Sequence, residues 1–194
     1  MAGFKYNLPP KEEQEERYDV STGLRRRGNY VLDVAGLPVG SYVPSFTPIA
    51  ADLKAKTAKI VVNVLVVEGA NDTVTEIKIA KGSYIQVGTI LGNGAKGAKV
   101  KSIDKTNAEY DKVTFENALG DAIKTNEVLF EASAPGGTKP KNVANSALYE
   151  TYKVTEGINS VALLQRAFEI EPEKLVTPFS EKDKANLPHF QFNE

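Results

Sequence analysis

The chain has 194 residues, 41% apolar and 25% charged, with a formal net charge of -1. That length suits one domain, or one β domain with arms, and can bury a core without covalent staples. The absence of cysteine and the single histidine, His189, exclude disulfides, thiolate metal sites and a histidine-rich metal centre, and the near-neutral charge supplies no global attraction to nucleic acid or an anionic membrane.

In chain order, residues 1–56 read as an N-terminal arm followed by an irregular segment, 57–170 as a β domain, and 171–194 as a C-terminal helix and apolar tail. The opening residues hold no apolar core of a secretory leader, so none is expected, and no run approaches the length of a membrane span. Charge dominates Lys11 to Arg17 and again Arg25-Arg26-Arg27, leaving little to bury. Tyr30 to Val34 can form a first strand. Gly36, Pro38, Gly40, Pro44 and Pro48 then punctuate an irregular stretch.

The β-branched run Lys59 to Val67 predicts one long strand covered on both faces. A turn at Gly69 to Asp72 separates it from Thr73 to Ile79, where Ile77 and Ile79 share a face, so the two read as a hairpin. Short strands follow at Tyr84–Val87, Gly88–Leu91, Lys99–Ile103, Lys112–Phe115 and Glu127–Phe130. A loop spans Ser133 to Pro140, a helical turn is read within Asn142–Glu150, and Ser160–Ile170 is read as strand. Glu171 to Leu187 is the one helical region, broken by Pro172 and Pro178. The fold class is therefore mostly β, a small β-barrel or β-sandwich with an extended N-terminal arm and a short C-terminal helix plus hook.

No motif supplies chemistry. Gly92, Gly94 and Gly97 match G-x-G-x-x-G, but the segment after them is strand-like, so a glycine-rich hairpin is expected rather than a dinucleotide site. Lys81 to Leu91 has the turn-strand-turn grammar of lipoyl and biotinyl carriers but lacks their lysine tip. Asn71 to Thr73 matches a glycosylation sequon, which carries no weight without a leader. Ser180 lacks a nucleophile-elbow context for His189. No catalytic residue, cofactor or metal is expected, and no enzymatic activity. The arginine triplet and Tyr30 are the candidate partner contacts.

Three segments carry a family resemblance. Ile79 to Gly92, ending Gly88-Thr-Ile-Leu-Gly92, resembles the G-T-V-L-G element of head decoration proteins of tailed bacteriophages. Asn145 to Gly157 is similar to their N-x-L-x-Y-x-x-V stretch, which introduces a strand like Asn159 to Phe168. Leu175 to Phe179 with Lys184 to Phe192 resembles their closing tail. The match covers roughly residues 60–194 and is nearest to head fibre proteins of phages or prophages of gut Bacteroidetes. Phe190 and Phe192 stand where aliphatic residues are frequent, and Gly94 to Gly97 lengthen a loop.

The resemblance implies a non-enzymatic virion structural protein, made in the bacterial cytoplasm and placed on the capsid surface. It would bind the major capsid protein, as a homotrimer, to decorate or cement the lattice or to anchor a head fibre. No membrane and no specific nucleic acid would be involved. Arg25, Arg26, Arg27 and Tyr30 would then touch the capsid or a partner, and Phe179, Leu187, Phe190 and Phe192 would pack subunits together. The rival expectation is a carbohydrate-binding or adhesin-like β module, for which eight tyrosines and no tryptophan are a thin aromatic supply.

Overall fold

The computed structural model describes residues 17–193. Its β structure is divided between a closed barrel and an open sheet. The barrel is built from β6 (Asn63–Glu68), β7 (Glu76–Ala80), β8 (Ile90–Gly92), β9 (Gly97–Asp104), β10 (Tyr110–Phe115) and β11 (Val128–Glu131), in the spatial order β10-β7-β6-β11-β8-β9. Alternation fills it. Ile77 and Ile79 from β7, Val113 and Phe115 from β10, and Leu129 from β11 point inward and are buried. The fold is thus mostly β with a small barrel, as its strand spacing predicts, and the β6–β7 hairpin pairs Val66 with Ile79.

The open sheet uses chain on both sides of the barrel. From the N-terminal side come β1 (Asp19–Arg25), β2 (Tyr30–Asp33), β4 (Pro48–Asp52) and β5 (Thr57–Ile60). From the C-terminal side come β12 (Ser146–Leu148), β14 (Ser160–Val161), β15 (Leu163–Ile170) and β16 (Phe190–Phe192). Their order is β1-β15-β12-β4-β5-β2-β14, with β16 also beside β15. A ribbon of β3 (Tyr42–Val43) and β13 (Tyr152–Lys153) completes the strands. Residues 19–52, which composition reads as arm and irregular segment, therefore carry four strands. Their backbone groups find partners on β12, β14 and β15, far along the chain, which local composition does not reveal.

The run Lys59 to Val67 is not one strand. It breaks at Val61 and Val62, with β5 in the open sheet and β6 in the barrel. Val61 is buried beneath the open sheet, whereas Val62 packs against the barrel core. Neighbouring side chains of an extended chain point to opposite sides, so apolar residues at both positions serve two cores. Three further local expectations are revised. Tyr84 to Val87 is loop and turn, Asn142–Glu150 holds β12 rather than a helical turn, and the helical region reduces to a 3₁₀ turn at Pro172–Lys174 and α1 (Glu181–Ala185). Ser146 to Leu148 are all buried, and β4 and β15 on either side supply the ladder that a helix would have left unpaired.

The open sheet has a core on each face. One side packs Ile49, Leu148 and Leu163 beneath Val43 and Val154 of the ribbon region. The other packs Leu164, Ala167 and Ile170 beneath Phe46, Phe179, Leu187 and Phe190. Strict alternation would not place Leu164, Ala167 and Ile170 together. One step on β1, Leu24 to Arg25, spans Arg166 to Leu164 on β15, which inserts an extra residue. A second irregularity lies at Glu169, whose φ is 53°. Each bulge resets which face follows.

The C-terminal segment is fixed by one buried carboxyl group. Ser180 caps α1 and exchanges hydrogen bonds with Asp183 in a capping box. Asp183, 1% exposed, also accepts from the Ala144 backbone N–H at 2.7 Å and from Asn63 Nδ2 at 2.8 Å. Asn63 Nδ2 donates to the Pro178 carbonyl as well, and Asn186 Nδ2 donates to the Ala144 carbonyl, both at 2.9 Å. Asn63 opens the barrel, and Ala144 lies on the return to β12. The helix thus ties both connections between barrel and sheet. Ala replacing Asp183 should lower the unfolding free energy in urea by at least about 3 kcal/mol, because it strands several buried donors. Asn63→Ala should cost about 1–2 kcal/mol, and the double variant less than the sum.

Burial pushes the phenol of Tyr84 above its ordinary range, partly offset by a hydrogen bond with Thr47. Burial, with Tyr149 nearby, does the same at Tyr18. A raised folded value means stability that is complete below the unfolded phenol value of about 10 and is lost as pH rises through the folded one. Thermal unfolding followed by circular dichroism from about pH 8 to about pH 11.5 should show a falling Tm, with a shallower fall in Tyr84→Phe.

Candidate functional site

The start and end of the described chain meet at one corner. The Glu171 N–H donates to the Arg17 carbonyl at 3.0 Å, and the Asn193 N–H donates to the Ile170 carbonyl at 2.8 Å. Arg17 Nε donates to the Lys174 carbonyl at 3.1 Å, and its guanidinium also reaches the Ser45 side chain. Ser45 leads into Phe46, a buried residue with φ of 65°. A bulky side chain in the left-handed region is strained by about 1–3 kcal/mol and persists only where packing over-determines it. Here the Phe46 ring lies 5.0 Å from Tyr18 and 5.8 Å from both Phe179 and Phe190.

This packing decides where the tail residues lie. Phe179, Leu187 and Phe190, read as subunit-packing residues, are buried in the chain's own core, and Phe192 is half-buried with its ring 5.2 Å from Phe179. The sheet face formed by β15 offers apolar surface within the same chain, so burial of these rings requires no neighbour. The stretch from Ile170 to Phe190 is a crossover. A parallel strand pair cannot be joined by a tight turn, and the 3₁₀ turn and α1 bridge β15 to β16.

The basic triplet is divided in the same manner. Arg26 is half-buried, with Nε donating to Ser146 Oγ at 2.6 Å and Nη2 to the Asn145 carbonyl at 2.8 Å. Its side chain stitches the end of β1 to β12. Arg25 is exposed, its guanidinium 4.8 Å from the Tyr149 ring centre, and Arg27 is exposed. Tyr30 is buried at 2% exposure in the core under the ribbon, with Lys56 Nζ 4.6 Å above its ring. Of the four candidate contacts, Arg25 and Arg27 present charge to solvent.

Apolar side chains are also left outside, near the outermost strands of the open sheet among the described residues. Val20 and Leu24 on β1, the first strand in the sheet order, are 58% and 41% exposed, and Phe168 on the adjoining β15 is 36% exposed. At the other end are Val31 on β2 and Ile158 just before β14. The outer edge of β1 is not a plain ladder. Its middle bulges between Asp19 and Leu24, and Ser21 N–H and Thr22 Oγ1 bond locally to Asp19. Such bulges blunt an edge against indiscriminate strand addition while leaving side chains for a shaped partner.

The glycine motif is structural. Gly92 closes β8 and Gly97 opens β9, so G-x-G-x-x-G is a hairpin. A Cβ on Gly97 would stand 2.5 Å from Gly137 Cα, because the 133–140 loop lies directly over the hairpin. Lys81 is held by the buried Asp111 carboxylate at 2.6 Å. Ser180 is spent on the helix cap, and among the described residues no group of three or more His, Cys, Asp or Glu could hold a metal ion. No helix among them is long and apolar enough to cross a membrane.

A family model described as head fiber protein matches residues 2–193. The chain belongs to the phage head fibre protein family. Nothing matches among curated proteins or among solved structures. Membership gives this head fibre protein a structural role in the phage and makes it a component of the virion. The match extends across the N-terminal residues, for which the tail and glycine motifs gave no guide.

Sequence reasoning overlooked Asp183, Asn63 and Phe46. Ser180-Glu-Lys-Asp183 is a legible cap signal, with Asp in place of the usual Glu. Nothing local marks Asn63 as its partner or Phe46 as the centre of an aromatic cluster. Arg26→Ala should lower stability by about 1–2 kcal/mol, whereas Arg25→Ala and Arg27→Ala should each stay within about 0.5 kcal/mol, as read by urea denaturation.

Proposed function

We propose that this head fibre protein sits on the outer face of the phage capsid, bound to the major capsid protein, and works by binding alone. It is made in the bacterial cytoplasm and assembles as a homotrimer that cements the lattice or anchors a fibre. The observation that carries this reading is the family match across residues 2–193. The β1 edge supports it. Val20, Leu24 and Phe168 are exposed together with Arg25 and Arg27, a mix of apolar and cationic groups suited to a protein surface. Three copies around one axis satisfy closed symmetry, and simultaneous docking of several weak contacts on a lattice multiplies affinity through effective concentration.

The test is co-sedimentation of the purified protein with phage capsids that lack it, alongside light scattering of the free protein. Wild type should pellet at a fixed ratio to the major capsid protein and scatter as a trimer. The variant Val20→Asp with Leu24→Asp should bind at least about tenfold more weakly while keeping its circular dichroism, since two charges would be carried into an apolar contact. Absence of wild-type binding would overturn the capsid reading, a monomeric mass would overturn the trimer, and unaltered binding of the variant would remove the β1 edge from the contact.

A further inference from the structure

A cleft of about 510 Å³ lies where the open sheet meets the barrel. Its size falls within the range of small-molecule sites, and the junction of two packed bodies is a usual place for one. The floor is apolar, made by Leu37, Ile60 and Val62. The rim is polar and electrically balanced, with Asp33 and Glu131 set against Lys59 and Lys141.

Part of this rim is already satisfied. Lys141 pairs with Glu131 at 2.8 Å, and Asp33 Oδ1 accepts from the Ala35 N–H at 3.1 Å. The side chains of Lys59, Gln86 and Asn142 have no hydrogen bond or ion pair within the described structure. They come from β5, the β7–β8 loop and the approach to β12, so three separate segments converge with donors and acceptors unused. Gln86 is exposed, and its amide lies beside Gly36, where a φ of +82° favours glycine.

We infer that this cleft binds a neutral saccharide. A sugar ring offers a face of C–H groups to an apolar floor and hydroxyls that both donate and accept around its edge. An amide pair and a lysine answer both demands. The balanced charge supplies no net field for a phosphate or a polyanion, and the apolar floor is too small for a docked helix or strand. The cleft is also clear of the proposed capsid contact. It is lined from β2 and β5, and β5 stands four strands from β1 in the sheet order, about 19 Å at normal strand spacing. A capsid-bound copy docked through β1 would keep the cleft open toward polysaccharide outside the virion. The chemistry of the cleft goes beyond the capsid reading and does not depend on it.

The experiment is ligand-observed NMR on the free full-length protein with glucose, galactose, mannose, N-acetylglucosamine and fucose and their short oligomers, followed by mapping on isotope-labelled protein. At least one sugar should bind with a Kd on the order of 1 mM, and shifts should centre on Leu37, Ile60, Val62 and Tyr84. Gln86→Ala with Asn142→Ala should weaken that binding at least about tenfold while the remaining spectrum is unchanged. Both positions lie on the rim, so the fold is retained and Lys78→Ala, on the far side of the barrel, serves as the control. Silence across the panel, shifts that map elsewhere, binding unaltered in the double variant, or a preference for inorganic phosphate would each overturn the assignment.

Discussion

The buried Asp183 carboxyl group is the constraint around which the molecule is assembled. Barrel and open sheet are joined by two stretches of chain, one entering β6 at Asn63 and one returning through Ala144 to β12. Asp183 accepts from both while capping its own helix. A carboxyl group buried to this degree is stable only if its oxygens are hydrogen-bonded. That requirement is met only when the helix, the barrel entrance and the return strand are all in place, so local capping and tertiary assembly become one condition. Removing any partner leaves buried polar atoms behind, so the cost is shared among distant segments.

The same logic explains the aromatic cluster. Phe46 is held in an unfavourable backbone conformation by rings from Tyr18, Phe179 and Phe190, drawn from both ends of the chain. The tail is thereby packed on its own sheet, and the start of the described chain is bound to it through Arg17. With the tail enclosed, exposed apolar side chains remain beside the outer strands of the open sheet. The barrel has closed its own edges and needs no partner strand. Among the described residues the open sheet has not, and its outermost strand β1, bulged, carries the exposed Val20 and Leu24.

This division suits a virion structural protein. A closed barrel gives rigidity without inviting aggregation. The bulges on β15 serve both ends. They bring Leu164, Ala167 and Ile170 onto one face to receive the tail rings, and they leave Phe168 outside.

Much of the molecule was legible in the amino-acid sequence because period-two alternation is local. Thr73 to Ile79, Lys99 to Ile103 and Lys112 to Phe115 announce barrel strands directly, and the glycines at 92 and 97 announce a hairpin. The tail motif pointed to the family that the chain belongs to. What alternation cannot say is which strand lies alongside. The strand at Ser146 to Leu148 and the recruitment of Asp19 to Arg25 as an outer strand depend on partners distant in the chain, and the break at Val61 and Val62 depends on a second core. The sequence by itself determined a β-rich chain with a short helical region after the last long strand and no cysteine chemistry. Only the tertiary structure decided that Tyr30 and the tail phenylalanines lie inside, that Arg26 is a stitch while Arg25 and Arg27 face solvent, and that Asp183 gathers three segments. Burial and non-local hydrogen bonds are properties of the assembled surface rather than of any single stretch of chain.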